Sequence, residues 1–122
     1  MNHSPGQILA LDVGLRRTGI ARASAVARLP EPLMSVATEK IDECLIQEYD
    51  VSTVVVGLPR SLNGNETSQT KWTREWVKTV KPSHKVEWFF QDEALTSEVA
   101  KSHSSEHDID SRAAAVILDD FF

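Results

Sequence analysis

A chain of 122 residues that is 41% hydrophobic is long enough for one hydrophobic core and too short for two ordinary domains. One unit over 1–122 with a short flexible tail at 1–6 is therefore expected. No apolar run approaches the roughly 20 residues of a membrane-spanning helix, and the first residues do not read as a signal peptide, so no membrane partner is expected. One cysteine, Cys44, excludes an intramolecular disulfide and a cysteine-based zinc site and suits a reducing, cytoplasmic location.

A net charge of −5 at first argues against a nucleic-acid partner, because phosphate binding is driven by Lys and Arg. The distribution weakens that objection. Residues 1–30 carry four Arg against Asp12 alone, and residues 61–85 carry five Lys or Arg against Glu66 and Glu75. The acid excess falls in 31–60 and 86–122, where a divalent cation would neutralise part of it.

The first predicted element is a strand over 7–13, whose Ile-Leu-Ala-Leu core ends in Asp12, Val13 and Gly14. A carboxylate on an apolar strand is costly unless it is paired or binds a cation, so Asp12 needs a chemical reason to be there. Gly14 suits a tight turn, and Arg16 and Arg17 ride on that turn into a second strand over 18–24. Pro30 and Pro32 break the chain before a third short strand over 33–37. Ile41, Cys44, Leu45 and Glu48 then recur at helical spacing, predicting a first helix over 39–49.

The β-branched run 53–57 lacks alternation, as expected of a central parallel strand covered on both faces. Residues 58–66 read as a polar loop, and Trp72, Trp76 and Val80 form one stripe of a helix over 67–80, which suits core packing rather than base stacking. A last strand over 85–91 delivers Asp92 and Glu93 at its end. Residues 110–122 read as a closing helix, with Ala113, Ala114, Ile117 and Phe121 on the stripe that starts at Asp110. The pattern implies an α/β fold with a mixed sheet and helices on both faces.

Asp12, Glu93 and Asp110 thus stand at the ends of three different elements. Hard divalent cations such as Mg²⁺ or Mn²⁺ take oxygen ligands, and carboxylates converging from separate elements suit them. Such a site can assist an in-line phosphoryl displacement. Each acid also has an ordinary reading, as a turn residue or a helix cap; their joint placement favours chemistry.

The segment from Leu9 to Ala21, Leu-Ala-Leu-Asp-Val-Gly-Leu-Arg-Arg-Thr-Gly-Ile-Ala, resembles the opening of the YqgF/RuvX family of pre-16S rRNA nucleases, relatives of Holliday-junction resolvases. Val54-Val55-Val56-Gly57-Leu58-Pro59 with Asn63-Gly64, then Asp92-Glu93-Ala94-Leu95-Thr96-Ser97, and the final stretch from Ile109 to Leu118 resemble its other signatures in order. The resemblance implies a ribonuclease H-like fold with a five-stranded mixed sheet. It places catalytic and metal-binding roles on Asp12, Glu93 and Asp110, with Mg²⁺ or Mn²⁺ as cofactor. It also implies a nucleic-acid substrate, pre-16S rRNA or branched DNA, and leaves open whether the chain acts as a monomer or a dimer.

Arg16, Arg17, Arg60, Asn63, Lys71 and Arg74 are the expected substrate-facing residues. The chain departs from the family pattern at Ala94, where Arg is usual, at Arg60, and in a short acidic segment over 98–108. Those departures keep a catalytically weakened binding module of the same fold as the alternative. His103 and His107 in that segment are candidate proton carriers, and residues 101–108 are expected to be mobile and to control how Asp110 completes the site.

Overall fold

The computed structural model describes residues 6–42, 51–61, 63–80, 86–94 and 109–122. Five strands, β1 (Gln7–Val13), β2 (Arg17–Ser24), β3 (Glu31–Ala37), β4 (Val51–Arg60) and β5 (Glu87–Ala94), form one mixed sheet in the order β3-β2-β1-β4-β5. β1 pairs antiparallel with β2 and parallel with β4, and β4 runs parallel with β5. Helix α1 (Ser68–Val77) and helix α2 (Ile109–Phe121) complete the described elements. No helix among the described residues is long and apolar enough to cross a membrane.

The two-residue period of β1 divides the core. Leu9, Leu11 and Val13 face a cluster with Ile20, Val54 and Val56, closed by Trp72 and Trp76 of α1. The two indoles stack with centroids 6.5 Å apart, so they pack the core as their spacing predicts. Ile8 and Ala10 face the other way, into a cluster with Ala21, Val55, Ala114, Ile117 and Leu118 under α2. Asp12 continues this second row. Each fully buried Leu, Ile or Val contributes roughly 1.5–3 kcal/mol, and a one-residue slip of β1 would exchange both rows, so the register is firmly held.

Among the boundaries that differ from the sequence expectation, three bear on the sheet around the site. β3 begins at Glu31 and contains Pro32, which sits on the edge strand where the β2–β3 register shifts, so its missing N–H breaks little. β4 runs on through Pro59 to Arg60. Its pairing with β1 ends at Leu11 opposite Val56, so at Pro59 one side of the strand is already open. β5 reaches Ala94, so Glu93 lies inside the strand, paired with Pro59, rather than after it.

α1 is shorter than its apolar stripe suggested. Thr67 caps it, accepting from the Thr70 amide while Thr70 Oγ1 accepts from the Thr67 amide, which satisfies two orphan donors at once. Of the helix expected over 39–49, a 3-10 turn at Thr38–Lys40 leads into helical Ile41 and Asp42, and 43–50 lies outside the described residues. Cys44, His103, His107, the expected mobile segment 101–108 and residues 1–5 of the tail also lie outside them.

Candidate active site

The site lies where the strand connections diverge, at the carboxyl ends of β1 and β4: from β1 the chain leaves to β2 on one side, while β4 and β5 lie on the other. Asp12 stands at that end of β1. Its partner on β2 is Gly19, and because Leu11 pairs with Val56, its neighbour on β4 is Gly57.

Both glycines are required by α2. A β-carbon at Gly19 would collide with the Asp110 carbonyl, so only glycine lets the start of α2 rest on the sheet beside Asp12. A β-carbon at Gly57 would collide with the Ile117 Cδ1, and its next neighbour is the Glu93 Cγ. α2 therefore crosses the sheet from Gly19 on β2 to Gly57 on β4, and Phe121 reaches Phe89 on β5 with ring centroids 5.5 Å apart. Phe89, Gln91 and Glu93 pair with Val55, Gly57 and Pro59, so the pleat puts Glu93 on the same face as Asp12. Between them Gly57 carries no side chain of its own, and the Ile117 side chain of α2 fills the space above it.

This arrangement disfavours negative charge. Burial and the neighbouring Asp110 push Asp12 up from 3.8 to about 6. Glu93 is pushed up to about 8, first by burial, then by a hydrogen bond with Asp120 and by the charges of Asp120, Asp12 and Asp92. Its Oε1 is fully enclosed and has no hydrogen-bond partner among the described residues. The coupling is pairwise: Asp12 with Asp110, Asp12 with Glu93, Glu93 with Asp120. Among the described residues no three His, Cys, Asp or Glu side chains close around one point as a preformed metal cage.

The expected basic and polar residues separate into two groups. Arg16 and Arg17 sit on the exposed β1–β2 turn next to Asp12, and Arg17 donates to Ser35 Oγ at 2.7 Å. Arg60 lies on the α1 side of β4, opposite Asp12, and pairs with Asp92 at 3.2 Å. Arg74 is ion-paired with Glu66, Asn63 accepts from Ser61 Oγ in the exposed loop before α1, and Lys71 is exposed on α1. The structure thus brings Arg16 and Arg17 to the strand end that carries Asp12 and keeps Arg60, Lys71 and Arg74 on the other layer.

Sequence reasoning missed Asp120. It sits ten residues after Asp110 on α2, and neither spacing nor motif marks it. Only the crossing of α2 over Gly57 brings it to Glu93. Gln69 and Thr38 were also missed, since their roles depend on main-chain carbonyls far away in sequence.

Comparison with known proteins gives this geometry a family. The model of the RuvX family, described as Holliday junction resolvase, matches residues 6–122. A protein of Roseiflexus sp. (strain RS-1) named "Putative pre-16S rRNA nuclease" is 34% identical, over 99% of this chain and 96% of its own length. Proteins with the same name from Sulfurihydrogenibium sp. (strain YO3AOP1) and Thiobacillus denitrificans are 35% and 31% identical, covering 92% and 96% of this chain and 86% and 91% of their own lengths. The match runs from the start of β1 to the end of α2, and the five-stranded mixed sheet with a helix on each face agrees with the ribonuclease H-like architecture expected from the motifs. The chain belongs to the RuvX family.

Proposed function

We propose that the protein is a divalent-metal-dependent nuclease that hydrolyses phosphodiester bonds, with the 5′ end of pre-16S rRNA as its substrate. The observation that carries this reading is the pair of carboxylates, Asp12 and Glu93, placed on one sheet face beside the start of α2 and each raised by burial and by neighbouring carboxylates. Burying like charges next to one another destabilises a fold unless a cation offsets them. The donors are all oxygens, and the enclosed Glu93 Oε1 is an acceptor without a donor among the described residues, so the residues suit Mg²⁺ or Mn²⁺ in type. Asp12 and Glu93 would hold the ion, with Asp110 joining from the helix start. When bound, such an ion supplies Lewis acidity toward the phosphoryl oxygens and a nucleophilic water.

The chain's own residues do the rest. The β1–β2 turn presents Arg16 and Arg17 to the phosphate backbone, which positions the strand without reading its sequence. The α2–sheet contact at Gly19 and Gly57 keeps Asp110 and Glu93 on rigid elements and limits water around Asp12. Glu93, pushed up to about 8, keeps its proton at neutral pH in the metal-free state, and that proton must leave for the carboxylate to bind an ion.

The test is cleavage of a 5′-extended 16S rRNA precursor and of a four-way DNA junction by the full chain, with Mg²⁺, Mn²⁺ or EDTA, beside Asp12→Asn. Ion-dependent cleavage of the RNA that the variant lacks supports the reading. Ion-dependent cleavage of the junction alone moves the substrate to branched DNA, and binding without cleavage under every ion makes the chain the weakened binding module.

A further inference from the structure

The two main-chain carbonyls that follow Asp12 are each held by a side chain from a distant part of the fold. Gln69, on the first turn of α1, donates its Nε2 to the Val13 carbonyl at 3.3 Å. Thr38, in the 3-10 turn after β3, donates its Oγ1 to the Gly14 carbonyl at 2.7 Å, and its amide donates to the Arg16 carbonyl at 2.8 Å. A hydroxyl has one proton. Since Thr38 gives its proton to Gly14, the 2.8 Å contact between Thr18 Oγ1 and Thr38 Oγ1 is a donation from Thr18. Thr18 and Thr38 are both buried, so this relay is shielded from water.

The turn closes on itself through the Gly14 amide, which donates to the Arg17 carbonyl at 2.9 Å. The carbonyls of Val13, Gly14, Arg16 and Arg17 are thus all engaged, by α1, by the β3 end or by the turn itself. Reactive groups held within about half an ångström of their productive geometry need such support from the residues behind them. A turn carrying two exposed arginines would otherwise sample many conformers.

We propose that Thr38 and Gln69 are positioning residues of the active site, acting as a two-sided clamp on the Val13–Gly14 backbone that orients Asp12 and presents Arg16 and Arg17. The role of Asp12 in cleavage rests on the nuclease reading above; the clamp on the turn does not. Thr38→Val keeps the shape and removes both hydroxyl bonds. Thr38→Ser keeps the donor, and Gln69→Leu removes the bond from the α1 side.

Two measurements on the full chain decide the matter. Amide hydrogen exchange should speed up about tenfold at Gly14 and at the backbone amide of position 38 in Thr38→Val, after correction for the intrinsic rate of the new side chain, the size expected for removing one net hydrogen bond, while Leu9 and Leu11 stay protected as before. Single-turnover cleavage, measured well below the unfolding transition, should show the maximal rate about tenfold lower with the half-saturating RNA concentration changed less than twofold. Thr38→Ser should restore both, and Gln69→Leu should repeat the rate loss.

Unchanged exchange at Gly14 overturns the clamp. Equal losses in Thr38→Val and Thr38→Ser, or a loss carried by half-saturation alone, overturn the positioning role. A wild type that cleaves neither substrate overturns the nuclease reading, while the exchange data still decide whether the clamp orders the turn. If Thr38→Val does not fold, Gln69→Leu carries both readouts.

Discussion

Asp12→Asn should stabilise the metal-free protein at neutral pH while abolishing cleavage. The folded chain holds the Asp12 carboxyl at about 6 against 3.8 when free. The sign follows from the protons bound. Well below 3.8 both states are protonated and ionisation at Asp12 costs nothing; between 3.8 and about 6 only the unfolded state ionises readily, so stability falls; above about 6 the loss is nearly complete. At about 1.4 kcal/mol per pH unit the full loss is roughly 3 kcal/mol, of which roughly 1 kcal/mol is already present at pH 4.5.

Asparagine has no such ionisation. Any fixed cost of fitting its amide cancels when the two proteins are compared across pH, so the difference in unfolding free energy should move by about 2 kcal/mol in the variant's favour from pH 4.5 to 7.5. Urea titrations in EDTA at four pH values would measure this, with equal m-values as the check on two-state behaviour. A difference that stays flat with pH, or that grows in favour of wild type, would refute the assignment of Asp12 as a buried, repelled carboxylate. Adding Mn²⁺ should offset most of that difference, since an ion at one hundred times its dissociation constant stabilises the native wild type by about 2.7 kcal/mol and gives the variant little.

The site and its surroundings lead to three further expectations. Asp120→Asn removes a like charge that raises Glu93 and leaves at most a neutral acceptor for its hydrogen bond, so the Glu93 carboxyl midpoint, followed by carbon-13 NMR in EDTA, should fall from about 8; an unmoved midpoint would separate the two residues. Gly57→Ala should destabilise by about 1–3 kcal/mol through overpacking, and Ile117→Val, which deletes the methyl that a β-carbon would meet, should recover part of that loss; simple additivity of the two would contradict the described packing. Replacing Arg16 and Arg17 by Ala should flatten the slope of log affinity against log salt for RNA by about 0.7–0.9 for each phosphate no longer neutralised, and an unchanged slope would move the RNA surface elsewhere.

The parts of the fold that were legible in the sequence are those where side-chain period decides the outcome. β1 has the expected bounds, the hairpin to β2 follows Gly14, and the Trp72–Trp76 stripe packs as core. Strand ends were less legible because prolines were read as breaks. Pro32 and Pro59 both lie within strands, the first on an edge strand at a register shift and the second beyond the end of pairing with β1, which is a property of the sheet rather than of local sequence. Within the site, Asp12 could be found because a carboxylate on an apolar strand is anomalous by itself. Asp120 could not, because its meeting with Glu93 depends on the angle at which α2 crosses the sheet.

The placement of the arginines reconciles an acidic chain with a polyanionic substrate. Arg60 and Arg74 are paired with Asp92 and Glu66, so they add nothing to the long-range positive field of the free protein. Both carboxylate partners remain substantially exposed, with side-chain exposures of 64% and 36%. Exposed ion pairs of this kind contribute only about 0–1 kcal/mol, so exchanging the carboxylate for an incoming phosphate costs little. Among the described residues Arg17 is bonded to a hydroxyl and to no acid, so no ion pair there offsets its charge. On the proposed nuclease reading, we predict that a nucleic acid is drawn first to the β1–β2 turn beside Asp12, and that the arginines on the α1 layer engage only after docking, as their acids are released.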